Sequence, residues 1–393
     1  MTKDGQGPLT LHVRPASAQT WPMGRRRGDR RLRIGIIAPP WVAVPPPLYG
    51  GTELVVDQLA RGLVAAGHSV ELFTTGDSTC PVHCSWLYPD ALGTNADPGA
   101  ELAHVQRAYE VLSHVDVVHD HTLTGPLWAS SWRPDLPVVA TNHGPFTPEM
   151  IAHFRAVAER VPIIAISDAQ RRSAPDVRIA AVIHHGVDVG DFPMGDGAGG
   201  YLVFLGRMSS DKGVHRAITV ARASGKPLMI AAKMWEPEER RYFAEDVEPL
   251  LGGDIVYIGP VGGQRKLDLL AGATALVNPI RWPEPFGLVM IEALACGTPV
   301  LAFAEGSVPE IVEHGRTGFL CRDEADMAQR VAEVAGLARR ACRASVAQRF
   351  STARFLERHL ALYRRVLNNA PIRSGDCSLE DEATIPEVDA YVT

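Results

Sequence analysis

Between about residues 32 and 367 the chain alternates short apolar runs, rich in β-branched residues, with helix-like segments, and it does so twice. The first set is RIGIIA (33–38), SVELFTT (69–75), VDVVHDH (115–121), PVVATNH (137–143), IIAIS (163–167) and AAVIHHG (180–186). Helical patterns separate several of these, as in TELVVDQLARGLVAAG (52–67), where Gly67 reads as the stop. After a break at VDVGDFPMGDGAGG (187–200) the pattern restarts with YLVFLGR (201–207), PLMIAAK (227–233), DIVYIGP (254–260), ALVNPI (275–280), PVLAFA (299–304) and GFLC (318–321). Continuously apolar strands alternating with helices predict parallel sheets covered on both faces. Two such arrays predict an α/β chain of two Rossmann-like domains that face each other across a crevice, at the carboxyl ends of the strands. The length of 393 residues agrees, since single cores rarely grow past about 250–300 residues.

The expected boundaries are a disordered basic leader at 1–30, a first domain at 31–187, a Gly/Asp-rich linker at 188–200, a second domain at 201–349, an amphipathic helix at 350–367 and a disordered acidic tail at 368–393. A net charge of −6 gives no electrostatic footprint for nucleic acid. No run reaches the roughly 18 apolar residues of a membrane span, and the N-terminal arginines precede no secretory apolar core. The six cysteines are scattered. Cys80, His83 and Cys84 in CPVHC offer three metal-ligand types, but no second ligand pair follows at zinc-site spacing, so reduced thiols in the cytoplasm are the expectation.

The stretch RWPEPFGLVMIEALACGTPV (281–300) poses a chemical question. From Gly287 to Cys296 it reads as a helix buried all round, yet it contains Glu292, and Glu284 stands just before it. A buried carboxylate without a partner costs several kcal/mol. Pro285 and Gly287 mark a tight helix entry, and a helix N-terminus is an anion site. At about 1.5 Å per residue, Glu292 lies roughly 7–8 Å down the helix from Gly287. The order carboxylate, anion site, carboxylate matches a nucleotide-diphosphate sugar, because sugar and ribose both offer vicinal hydroxyls. A structural ion pair plus a helix start is the competing reading. In LGRMSSDKG (205–213), Arg207 and Lys212 follow a strand end and suit a diphosphate.

In these residues the chain resembles a family 4 glycosyltransferase of the GT-B fold. The resemblance rests on Glu284, seven intervening residues and Glu292, on the Arg207/Lys212 turn, and on PPLYGGTE (46–53), GHSV (67–70), VHDH (118–121), ISDAQR (166–171) and HHGVD (184–188). It implies that Glu284 binds hydroxyls of the transferred sugar and Glu292 the ribose. It implies that Arg207 and Lys212 hold the diphosphate with the N–H groups of Phe286, Gly287 and Leu288, and that Gly50 and Gly51 admit the same phosphates or the acceptor. His121 is placed near the anomeric centre, with His119, Thr52, His143 and Ser167 on the acceptor side. The helix at 350–367 would cross back onto the first domain, and the two crossings would act as hinges when donor binds.

The implied activity is retaining transfer of a hexosyl group to a small-molecule or glycan acceptor. UDP-glucose is the first donor, and no cofactor or metal is expected. His119 and His121 alternate on one strand and so face one side of its sheet; an H-x-H pair also suits a metal. Lys233, in IAAKMWEP (230–237), reads either as a third cation near the phosphates or as a solvated loop lysine. Asp120 is a nearby carboxylate with no declared role. A dehydrogenase is disfavoured, since no strand end carries G-x-G-x-x-G. A nucleotide-sugar 2-epimerase and a non-catalytic nucleotide-sugar binder are the remaining alternatives.

Overall fold

The computed structural model describes residues 10–16, 30–93 and 97–368. The expected acidic tail from 369 onward, and residues 1–9 and 17–29 of the expected leader, lie outside the described residues. The chain divides into two units. The first holds the described residues up to Ala165, Ala174–Ile183 and those from Leu356 onward; the second holds Ile166–Ser173 and His184–Phe355.

The first unit contains an eight-stranded sheet: β1 (His12–Arg14), β2 (Arg33–Ile37), β3 (Ser69–Thr74), β4 (His83–Trp86), β5 (Val117–Asp120), β6 (Val138–Thr141), β7 (Ile163–Ala165) and β8 (Ile179–Val182). Their order across the sheet is β1-β4-β3-β2-β5-β6-β7-β8. All neighbours are parallel except β1, which pairs antiparallel with β4, His12 opposite Trp86. The expectation of disorder up to residue 30 is therefore corrected at 12–14: a short segment, polar by composition, is held by ladder hydrogen bonds at a sheet edge. The helix Gly51–Ala65 ends where Gly67 takes a positive φ of 90°, as its position in the pattern indicated.

The second unit contains β9 (Leu202–Arg207), β10 (Leu228–Lys233), β11 (Ile255–Tyr257), β12 (Ala275–Asn278), β13 (Val300–Phe303) and β14 (Gly318–Cys321) in the order β11-β10-β9-β12-β13-β14, all parallel. Strand order reverses between β9 and β12, as it does between β2 and β5 in the first unit. Ligands of open α/β sheets bind outside the carboxyl ends at such reversals. Arg207 closes β9, and His121 directly follows β5.

The segment 188–200 is not a loose linker. Phe192 joins the apolar core of the second unit with Val187. Gly195 N donates to Cys296 O at 2.9 Å and Gly199 N to Gly272 O at 3.0 Å. Arg339 and Arg343, on the helix Arg339–Arg349, donate to the carbonyls of Gly195 and Phe192 at 2.9 and 2.8 Å. Gly195 has no room for a side chain, because a Cβ there would lie 2.0 Å from Ala271 O. The glycines thus serve close packing within the second unit, where the sequence suggested a hinge.

Candidate active site

The helix Leu288–Ala295 starts from Gly287, whose φ of 84° places the N-cap in the left-handed region. Met290, Ile291, Ala293, Leu294 and Ala295 are all fully buried against the core. Glu292 is buried with them, at 4% exposure. Its partner is Lys266, on the helix Gly263–Gly272, whose Nζ lies 2.6 Å from Oε1. Glu284 Oε2 accepts from Lys212 Nζ and, at 3.0 Å, from the indole Nε1–H of Trp282. The Lys212 ammonium also stands 5.6 Å from the Trp282 ring centroid. Ser307 Oγ fixes the entry to the helix by donating to Phe286 O at 2.6 Å. Each glutamate is therefore a charge-paired carboxylate on its own side of one helix start.

Three further cations sit near strand ends of this sheet. Arg207 Nη2 pairs with Asp211 Oδ2 at 3.1 Å. Lys233 is buried, 3.2 Å from Glu239 Oε1, with its ammonium 4.8 Å from the Trp235 ring centroid. It is not the solvated loop lysine that one reading allowed. Glu239 has its other oxygen committed to Trp235 N at 2.7 Å, so Lys233 stabilises a helix entry. Arg216 bridges the turn after β9 to the end of β12, donating to Ser210 O and Pro279 O at 3.1 and 3.2 Å.

In the first unit Gly50 is the N-cap of the helix that begins at Gly51, with Thr52 in its first turn. Glu53 folds back over this start: a Cβ at Gly50 would lie 2.7 Å from Glu53 Oε2. Burial pushes the Glu53 carboxyl up to about 7, its own backbone N–H opposing. Asp120 is fully buried and accepts from Tyr109 Oη at 2.6 Å and from Thr122 N and Oγ1 at 2.7 Å each; burial raises it to about 6. With both oxygens bonded it shapes the turn after β5, and is no free nucleophile.

His119 and His121 do face one side, their ring centroids 4.0 Å apart. His121 Nδ1 meets His143 Nε2 at 2.8 Å. Burial, and then the neighbouring His359, drive His143 down to about 3. His119 has no exposure, and both its ring nitrogens are taken, by Tyr363 Oη and Thr141 Oγ1 at 2.7 Å. That corrects its expected place among acceptor ligands: it lies a layer below the surface, supporting the neighbouring ring. Ser167 is corrected likewise, since it is fully buried and caps the helix Asp168–Arg172 by accepting from Gln170 N at 2.9 Å.

Glu310, Lys266, Trp282, Glu53 and Tyr363 had been assigned no role from the sequence. Glu310 accepts from the N–H groups of Asp168 and Ala169 at 2.9 and 2.6 Å and meets His184 Nε2 at 2.8 Å. Asp168, His184 and Glu310 form the one cluster of metal-ligand type among the described residues, with ligand atoms within 4.8 Å of one another. Both Glu310 oxygens are occupied by backbone donors, so the trio reads as a helix clamp. Cys80 and Cys84 are buried free thiols, and His83 leans toward Glu71 at 3.8 Å. Lys266 lies 26 residues before Glu292 on another helix, and no local pattern links the two.

Two parallel-sheet α/β units of this kind define the GT-B class of glycosyltransferases. Residues 49–191 match the family Glycosyltransferase Family 4 and residues 196–341 the family Glycosyl transferases group 1. The α-maltose-1-phosphate synthase of Mycobacterium tuberculosis is 29% identical over 82% of this chain and 97% of its own. AviGT4, a glycosyltransferase involved in avilamycin A biosynthesis, is 28% identical with a TM-score of 0.66, covering 86% of this chain and 99% of its own. HepE of Anabaena, solved in complex with UDP-glucose, shares the fold at 18% identity and a TM-score of 0.67, covering 86% of this chain and all of its own. The chain belongs to family 4 of the GT-B glycosyltransferases. Among its described residues no helix is long and apolar enough to cross a membrane.

Proposed function

We propose that this glycosyltransferase moves a hexosyl group from a nucleotide-diphosphate sugar, UDP-glucose first, to a small-molecule or glycan acceptor, with retention at the anomeric carbon and without a metal. The observation that carries the reading is the pair of charge-paired glutamates on either side of the Gly287 helix start. Glu284 would take hydroxyls of the transferred sugar and Glu292 those of the ribose. The diphosphate between them would meet the helix N–H groups of Phe286, Gly287 and Leu288, with Lys212 and Arg207 as counter-charges. The complex of HepE with UDP-glucose supports the choice of donor.

In the transfer, the bond from the anomeric carbon to the phosphate oxygen breaks and the acceptor oxygen bonds on the same face. The acceptor proton passes to the departing phosphate oxygen. Cations beside that oxygen stabilise charge where it grows, a contribution of about 2.7–4 kcal/mol per donor in comparable sites. His121 and His143, together with Gly50, Gly51 and Thr52, would serve the sugar and acceptor side. The cytosol, where nucleotide sugars and free thiols coexist, is the compartment we assign.

A thermal-shift panel of UDP-, GDP- and ADP-sugars tests the donor, since a ligand at 100 times Kd adds about 2.7 kcal/mol. Proton NMR of the product formed with the best donor should show the donor's anomeric configuration. An inverted product, or stabilisation by none of these nucleotides, would overturn the proposal.

A further inference from the structure

The two glutamates share a feature that their spacing does not require. In each, the protein holds one carboxylate oxygen and leaves the other. Lys212 and Trp282 both donate to Oε2 of Glu284, and Lys266 donates to Oε1 of Glu292. Among the described residues nothing donates to Glu284 Oε1 or Glu292 Oε2. The clamps are stiff. Glu292 sits in the buried part of its helix, Met290–Ala295, and Lys266 reaches it with a side chain only 19% exposed. Trp282 is two residues from Glu284, and a short turn fixes the pair, with Glu284 N donating to Trp282 O at 2.7 Å. Gly306 closes in from the other side; a Cβ there would lie 2.4 Å from both Glu284 N and Glu284 O.

We propose that Lys266 and Trp282 are positioning residues for donor recognition: each holds one oxygen of its glutamate so that the other is aimed at a hydroxyl of the nucleotide sugar, Lys266 acting on ribose binding and Trp282 on binding of the transferred sugar. This rests on the assignment of Glu292 to ribose and Glu284 to sugar. A carboxylate bonded through one oxygen has lost its freedom to rotate, so its open oxygen accepts from a hydroxyl without reorganisation. The indole is the weaker and more directional clamp. It cannot replace the charge of Lys212, but it fixes the plane of the carboxylate.

The test is a set of calorimetric titrations of UDP, GDP and ADP and of their glucose or mannose conjugates, using the pair bound most tightly by the unmodified protein. Lys266→Met should weaken binding of nucleotide and nucleotide sugar alike, by about tenfold for the loss of one oriented charged acceptor, and Lys266→Arg should restore most of it. Trp282→Phe should leave the nucleotide affinity unchanged and weaken only the nucleotide sugar. Melting curves establish that each variant is folded, and Trp282→Phe stands as an independent arm if Lys266→Met is not. Glu292→Ala and Glu284→Gln separate the two levels of the argument. If they split nucleotide from sugar binding while Lys266→Met and Trp282→Phe bind as the unmodified protein does, the clamp is wrong and the site assignment stands. If Glu292→Ala retains full nucleotide affinity, the assignment itself fails and the clamp with it.

Discussion

The hydroxyl of Tyr363 lies 2.7 Å from Nδ1 of His119, a residue 244 positions earlier in the chain. Burial holds the phenol well above its ordinary titration range and the imidazole well below its own, the latter helped by His359 and His143. At neutral pH the phenol keeps its proton and the ring is neutral, so one ring nitrogen donates and the other accepts, and the two hydroxyls of Tyr363 and Thr141 hold the ring between them. Tyr363→Phe should leave a buried ring nitrogen unsatisfied and cost about 1–3 kcal/mol in urea unfolding. It should also change the nitrogen shifts of His119 in NMR. An unaltered midpoint with unaltered shifts would show that the bond has no such role.

Glu53 makes a prediction with a definite sign. Its carboxyl is raised by burial from 4.5 to about 7, so the folded chain holds a proton there that the unfolded chain releases. Its contribution is fully present below about pH 4.5 and is lost as pH rises through about 7, by at most about 3 kcal/mol. Glu53→Gln should remove this component. The variant should gain on the parent in urea unfolding at pH 8 relative to pH 5, and an unchanged difference between the two pH values would contradict the buried, protonated carboxyl.

Gly306→Ala tests the backbone behind Glu284. The new methyl would have to displace Glu284 N and O at a position whose φ is 56°. Strain and displacement together should cost about 1–3 kcal/mol in stability. Affinity for the nucleotide sugar should fall more than affinity for the free nucleotide. Equal losses would place the displaced group elsewhere than on the sugar.

For the segment 188–200, slow hydrogen exchange is expected at Gly195 and Gly199, whose amides are bonded within the second unit. Arg343→Ala removes donors to the carbonyls of Val189, Phe192 and Ala295. Exchange there should accelerate selectively in that variant. Fast exchange in the unmodified protein would restore the flexible-linker reading.

Chelation bears on the proposed metal-free transfer. Extended incubation with EDTA should leave the turnover of the identified donor intact. Loss of turnover that magnesium or manganese restores would require a metal in the step.

Much of this architecture is written in local pattern. Strands β9, β10 and β12–β14 begin and end within a residue or two of the apolar runs that announced them, because a buried parallel strand must be apolar throughout. Glu284 and Glu292 were legible for the complementary reason: charge inside an apolar stretch demands a partner. The identity of those partners was not. Lys266 meets Glu292 only because one helix packs beside another, and β1 finds β4 some seventy residues away at a sheet edge. In 188–200 composition pointed the wrong way, since glycines that suit bending equally suit contact with a neighbouring carbonyl. The arginines that tie them down stand about 150 residues later.

The pairing of cations in the second unit has a kinetic consequence. Arg207 is matched by Asp211, Lys212 by Glu284, Lys233 by Glu239 and Lys266 by Glu292. These four pairs sum to no net charge, so from beyond a Debye length they present almost no field to an approaching dianion. If the proposed diphosphate binds there, its capture is expected to proceed by collision and fit, near the unsteered range of about 10⁵–10⁶ M⁻¹s⁻¹, with little dependence on salt. On that reading the attraction acts only at short range, once the ligand's phosphates reach the cations and its hydroxyls reach the open carboxylate oxygens.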